Sequence, residues 1–348
     1  MTHTRRELMI GAMAGAAASA TPWRMPALAQ QQSTWRSAAA EAAAKAEGNT
    51  LVVYSSINEQ EALPVWKHFE ETTGIKVQYV RGSDVTLISR VMIEHRGQQR
   101  SWDIMLSTGT GRLPPDTLVP FEPAEAAAFP AMAKDPAKRW YGLHATYNAP
   151  SYNTRTVKPE ELTRRYEDFL DRPQWAGRCA IDRTDTQWLM GMIQHYGEAQ
   201  VRKLLGEINS ALKPVLTEGH LNLARQVAAG EYLMTLNNYI SLTTNVKVGG
   251  GPTDFWLLDP VVLFFEQLGI SARAPHPKTA AYAIDFLMSG DGQTRTTRWG
   301  RSPVRRDVTP IPPDLFAQLD RHKVIAVTPS TEEDRRNRRV FDEIFRVR

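Results

Sequence analysis

The chain has 348 residues, and its 42 Lys and Arg against 38 Asp and Glu give a formal net charge of +4. That near balance calls for neither nucleic acid nor an anionic membrane surface, and the basic stretches 295–306 and 335–339 read as solvated faces. A single cysteine, Cys179, excludes an intramolecular disulfide and a thiolate metal site; its apolar setting reads as a buried, inert thiol.

The N-terminal run Thr4-Arg5-Arg6-Glu7-Leu8-Met9-Ile10, a weakly apolar stretch to Ala20 and the small-residue site Ala27-Leu28-Ala29 form the pattern of a twin-arginine export signal. Pro22 and Trp23 break the run before it reaches the ~20 residues of a membrane span. A mature chain starting near Gln30 and located in the periplasm is the expectation, with net charge +2 once residues 1–29 are gone. Residues 30–50 then hold an Ala/Glu/Lys helix over 38–45, stopped by Gly48.

Leu51 to Tyr54 reads as the first strand. The helix after it carries Ala62, Trp66 and Phe69 on one face, and Pro64 predicts a start nearer Glu61 than Asn58, because a proline is tolerated only in the first turn. Ile75 to Val80 is the next strand, Ser83 caps a helix to about Arg96, and Ile104 to Leu106 is the third strand. This alternation predicts a sheet with crossover helices. It recurs as a strand at Cys179–Ile181, helices over 186–196 and to Ile208, a strand at 214–216, a helix over 221–229 and a strand at 233–236. Two lobes follow, with 147–153 and 252–264 as candidate crossings. Pro277 opens a helix to Gly290, and Glu332 to Arg348 is a charged helix with a docking stripe at Val340, Phe341, Ile344 and Phe345.

The runs Leu51-Val52-Val53-Tyr54-Ser55-Ser56, Phe69-Glu70-Glu71-Thr72-Thr73-Gly74, Val80-Arg81-Gly82-Ser83, Tyr152-Asn153-Thr154, Ala180-Ile181-Asp182, Asp259-Pro260-Val261-Val262 and Arg301-Ser302-Pro303-Val304-Arg305 occur in one order over residues 50–308. In that order they resemble the periplasmic solute-binding proteins of ABC importers, specifically the ferric-ion-binding branch. The resemblance implies an α/β fold, a two-lobed periplasmic-binding-protein clamshell of type II, each lobe a mixed, mostly parallel sheet with flanking helices. Residues 51–146 with 255–306 are expected in lobe 1, and 147–254 with 307–348 in lobe 2. It also implies a monomer that closes over a small-molecule ligand and delivers it to an ABC permease.

In open α/β sheets ligands sit beyond the carboxyl ends of strands, where helix N-termini present free N–H groups. The candidate ligand-binding residues are therefore Tyr54, Ser55, Ser56, Arg81, Ser83, Ser107, Thr108, Arg183, Thr184, Asp185, Thr186, Asn237 and Tyr239, and the cleft is expected to favour a small anionic or polar solute. Arg81, Arg183 and Arg305 are candidate bidentate contacts. Trp188 and Trp256 either line the pocket or sit in the core.

The ferric-binding branch often pairs two tyrosines after Asn-Asn. Here the run is Asn237-Asn238-Tyr239-Ile240, so one phenolate is missing; the positions of its His and acidic ligands align with about Asn58 and Thr108. A bare trivalent ion needs more anionic oxygen than one tyrosine supplies. Ferric iron in a chelate, with Tyr239 as the metal ligand, stands as the alternative cargo, and no resident cofactor is expected. A secreted hydrolase finds no support in a Gly-x-Ser-x-Gly elbow or a His-Glu-x-x-His run, so no catalytic residue is assigned. A ligand-sensing role with the same clamshell stays open.

Overall fold

In the computed structural model, residues 35–298 and 300–346 are described. The expected export signal at Arg5 and Arg6 lies outside them. Among the described residues no helix is long and apolar enough to cross a membrane.

Helix α1 (Ala38–Lys45) is capped by Ser37, whose Oγ accepts from the Ala40 N–H at 3.4 Å. Strand β1 (Thr50–Ser55), helix α2 (Glu59–Thr73), β2 (Lys76–Arg81), α3 (Asp84–Arg96), β3 (Ile104–Ser107) and β4 (Tyr141–Asn148) follow. Contrary to the expectation from Pro64, α2 begins at Glu59, and the proline sits in its second turn. The buried face Ala62, Val65, Trp66 and Phe69 outweighs the one hydrogen bond that the proline removes.

The chain then builds β5 (Ser151–Asn153), β6 (Cys179–Asp182), α4 (Thr186–Tyr196), α5 (Glu198–Leu212), β7 (Val215–Thr217), α6 (His220–Ala229), β8 (Met234–Thr235), α7 (Ile240–Val248) and β9 (Thr253–Phe255). It returns through β10 (Val261–Ile270), α8 (Pro277–Met288), α9 (Gly290–Arg298), β11 (Ser302–Pro303), α10 (Leu315–Leu319), β12 (Val324–Ala326) and α11 (Thr331–Phe345).

The first sheet has the order β11-β4-β10-β3-β1-β2 with β12 beside β10; the second runs β7-β6-β8-β5-β9. Both sheets are mixed, and parallel pairings make up half of each rather than most. The physical reason in the first sheet is the return strand β10, which runs antiparallel to both β3 and β4. Residues 149–150 and 256–260 connect the two sheets, within the stretches expected to cross.

β10 serves both lobes. Val261, Leu263 and Phe265 join the first core, while Val262 and Phe264 join the second, as the period of two dictates for a strand with apolar matter on both faces. Helix α4 lies directly on it at Gly191, where an added Cβ would stand 2.3 Å from Val262 Cγ2. Cys179 is buried in the second core. One assignment of the sequence reading changes: residues 307–326, expected with lobe 2, pack on lobe 1. Leu315 and Leu319 join its core, and β12 pairs with β10. Val327 and then α11, through Val340, Phe341, Ile344 and Phe345, join the core of lobe 2.

Candidate functional site

The carboxyl ends of β1 and β3 lie side by side in the first lobe. Ser55 is fully buried, and its Oγ accepts the Ile57 N–H at 3.1 Å. Ser56 Oγ donates to Glu266 Oε1 at 2.8 Å. Ser83 caps α3 by accepting the Thr86 N–H at 3.2 Å. Ser107 and Thr108 both donate their hydroxyls to the carboxylate of Asp84, the first residue of α3. The positive end of that helix, expected to await an anion, thus already holds one of the chain's own.

Three of the first-lobe expectations are corrected. Tyr54 points away from the strand end: it is 1% exposed, its hydroxyl donates to Glu94 Oε1 at 3.0 Å, it stacks on Trp102, and the Arg90 guanidinium lies over its ring. Arg81 is exposed and reaches Asn58 Oδ1 at 3.3 Å. Arg305 is held by Glu125 at 2.8 Å and Asp307 at 2.6 Å, which leaves its fork no free donor pair for a ligand.

In the second lobe the loop from β6 to α4 is a closed polar knot. Thr184 donates its N–H to Asp182 Oδ1 at 2.8 Å. Asp185 caps α4 by accepting the Trp188 N–H at 3.0 Å and also receives Asn148 Nδ2, from the end of β4. Thr186 donates to Asp334 of α11, and Arg338 of the same helix donates to the carbonyls of Arg183 and Thr184. Arg183 itself pairs with Glu218 instead of with Asp182 or Asp185. Asn237 bridges β6 and β8 by accepting the Asp182 N–H at 2.8 Å and donating to the Asp182 carbonyl at 3.1 Å. These residues shape the cleft loop, and most of their polar atoms are spoken for. Trp188 and Trp256 belong to the core, their indole N–H groups bound to Tyr166 Oη and the Thr163 carbonyl.

Tyr239 differs from the others. It precedes α7 as its N-cap residue, bridges to Asn148 at the crossing, and is half-buried between His220 and Phe264. Its hydroxyl makes no hydrogen bond to any described residue. Burial first, and then Asp185 and Asp182, push its phenol well above the ordinary range, with Asp84 and Arg301 also within electrostatic reach. Since Asp84 and Arg301 belong to the first lobe, Tyr239 marks where the lobes face one another. No side chain caps α7, so its leading N–H groups are left to solvent or ligand.

Glu266 and His220, which the sequence reading did not select, complete the surroundings. Glu266 is 6% exposed, and burial followed by Asp84 raises its carboxyl to about 7. Arg301, near it, is paired with Glu61. Asp84 and Asp185 already occupy the N-terminal ends of α3 and α4, and Arg183, Arg301 and Arg338 are all held by protein partners, which corrects the expected preference for negative charge at α3 and α4. Helix α7, like α2 and α6, starts without a side-chain cap.

Two mixed sheets, lobes joined at 149–150, 256–260 and 327–330, and a polar cleft between them define a solute-binding clamshell. The profile of the bacterial extracellular solute-binding protein family matches residues 116–323, and the chain belongs to that family. Its members bind small solutes outside the cytoplasm and deliver them to ABC permeases. Iron uptake protein A1 of Synechocystis is 24% identical over 278 residues, covering 71% of this chain and 73% of that protein. Iron-bound HitA of Pseudomonas aeruginosa superposes with a TM-score of 0.71 at 20% identity, over 85% of this chain and 99% of that one. Trichodesmium IdiA (FutA), in complex with iron and citrate, gives 0.67 at 16% over 85% and 99%. At these identities the structural likeness speaks for the fold.

Proposed function

We propose that this protein is the periplasmic substrate-binding component of an ABC importer, and that its cargo is ferric iron carried in a small chelate. The observation that supports this most is Tyr239: a phenol without a protein partner, set among carboxylates at the junction of the lobes. Such a group is costly to ionise alone, and a hard cation replaces its proton directly. Among the described residues no three His, Cys, Asp or Glu side chains are grouped as a metal site, so a bare ferric ion lacks donors here. A chelate brings its own oxygens. Its metal edge then faces Tyr239, and its anionic arms face the open N-terminus of α7. The iron named in the relatives' descriptions agrees with this cargo.

Capture proceeds by hinge closure. The chelate docks on one lobe, rotation about residues 149–150, 256–260 and 327–330 brings up the other, and the closed form is selected because only it makes both sets of contacts. A small organic anion without metal is the second reading, favoured by the same open end of α7. Metal analysis and mass spectrometry of ligand released from protein purified without added iron decide between them. The account expects iron with a carboxylate-rich chelator; an iron-free anion would overturn the iron reading.

A further inference from the structure

His220 opens α6 directly after Gly219, whose φ of +93° gives the turn that only glycine adopts freely. Its ring is 7% exposed and lies flat on Tyr239, with centroids 3.6 Å apart and planes 24° from parallel. Neither Nδ1 nor Nε2 has a hydrogen-bond partner. The nearest carboxylate oxygen, Asp185 Oδ2, is 3.6 Å from Nε2, beyond hydrogen-bond range, and that carboxylate is already engaged by Asn148 and by the Trp188 N–H.

A histidine kept in a core for packing pairs at least one nitrogen, since an unpaired buried donor or acceptor carries its full desolvation cost. Here both are unpaired, beside the one cleft tyrosine whose hydroxyl is also free. The stack sets the imidazole and the phenol ring side by side, so the two groups without partners are neighbours. Imidazole nitrogen is a suitable donor to iron, and it adds to the site the donor that Ile240 does not supply.

We propose that His220 is a second protein donor to the cargo, one of its ring nitrogens binding the ferric ion of the chelate alongside the Tyr239 phenol. This rests on the ferric-chelate reading above. The test uses the mature protein loaded with ferric citrate, with His220→Phe to keep the stack while removing both nitrogens, and His220→Asn measured alongside. Pulsed electron paramagnetic resonance of the iron-loaded wild type is expected to show coupling to an imidazole nitrogen, absent in both variants. The Kd for ferric citrate is expected to rise at least tenfold, with the melting temperature held. Wild-type iron without nitrogen coupling, or His220→Phe binding within twofold of wild type, overturns the role of His220 alone. A wild type that takes up no ferric citrate overturns the cargo reading and this inference together.

Discussion

Replacing Glu266 by Gln tests whether the cleft wall holds a buried carboxyl in its neutral form. Burial, helped by Asp84, raises this group from 4.5 to about 7. The 2.5-unit difference corresponds to about 3 kcal/mol at 1.36 kcal/mol per unit. Because the folded carboxyl binds its proton more tightly than the unfolded one, this stabilisation is present below pH 4.5 and is lost as pH rises towards 7. Glutamine keeps an oxygen for Ser56 Oγ and does not titrate. The Glu266→Gln protein should therefore gain on the wild type by about 2.5 kcal/mol between pH 5 and pH 8. At ~2.1 cal/mol/K per residue that is roughly 4 °C in Tm. Calorimetry of both proteins at the two pH values reads the difference, and a gap that stays constant across the range refutes the reasoning.

Gly191→Ala should lower stability by roughly 2–3 kcal/mol by forcing α4 off Val262, since the helix-propensity gain of alanine is smaller than the cost of overpacking; urea unfolding measures it. Arg338→Ala should release the carbonyls of Arg183 and Thr184, speeding amide exchange over residues 183–186 and weakening ferric citrate binding about fivefold, with the rest of lobe 2 protected as before. His144, fully surrounded by protein, is held neutral by burial and by Arg301, its affinity for a proton well below that of free histidine. His144→Gln should therefore remove part of the stability that the wild type loses as pH falls through about 6.5, read from melts at pH 7 and pH 5.

Much of the fold was legible because its signals are local. Ser83 caps α3 where expected, and the apolar stripe of α11 docks as its spacing implies. Two kinds of element escaped. Helix α7 reads Ile-Ser-Leu-Thr-Thr-Asn-Val-Lys-Val, a β-branched run that its place between Tyr239 and β9 makes helical. β4 is buried on both faces, so no alternation announces it. At the site the strand-end hydroxyls were visible, but their partners were not. Ser56 meets Glu266 across 210 residues, and Thr186 meets Asp334 across 148. The sequence shows caps and strand ends without showing which carboxylates fill them, so the ends of α3 and α4, which looked ready for an anion, already hold Asp84 and Asp185. Tyr239 and its lone position beside Ile240 could be read from the chain; the stacked His220 could not.

The most direct test of the central claim is an optical titration of the wild type and Tyr239→Phe with ferric citrate, and with citrate alone. The account predicts a visible ferric–phenolate charge-transfer band in the wild type, no band and at least a hundredfold weaker binding in Tyr239→Phe, and little response of either to citrate alone. Equal binding of ferric citrate by both proteins without such a band would contradict it.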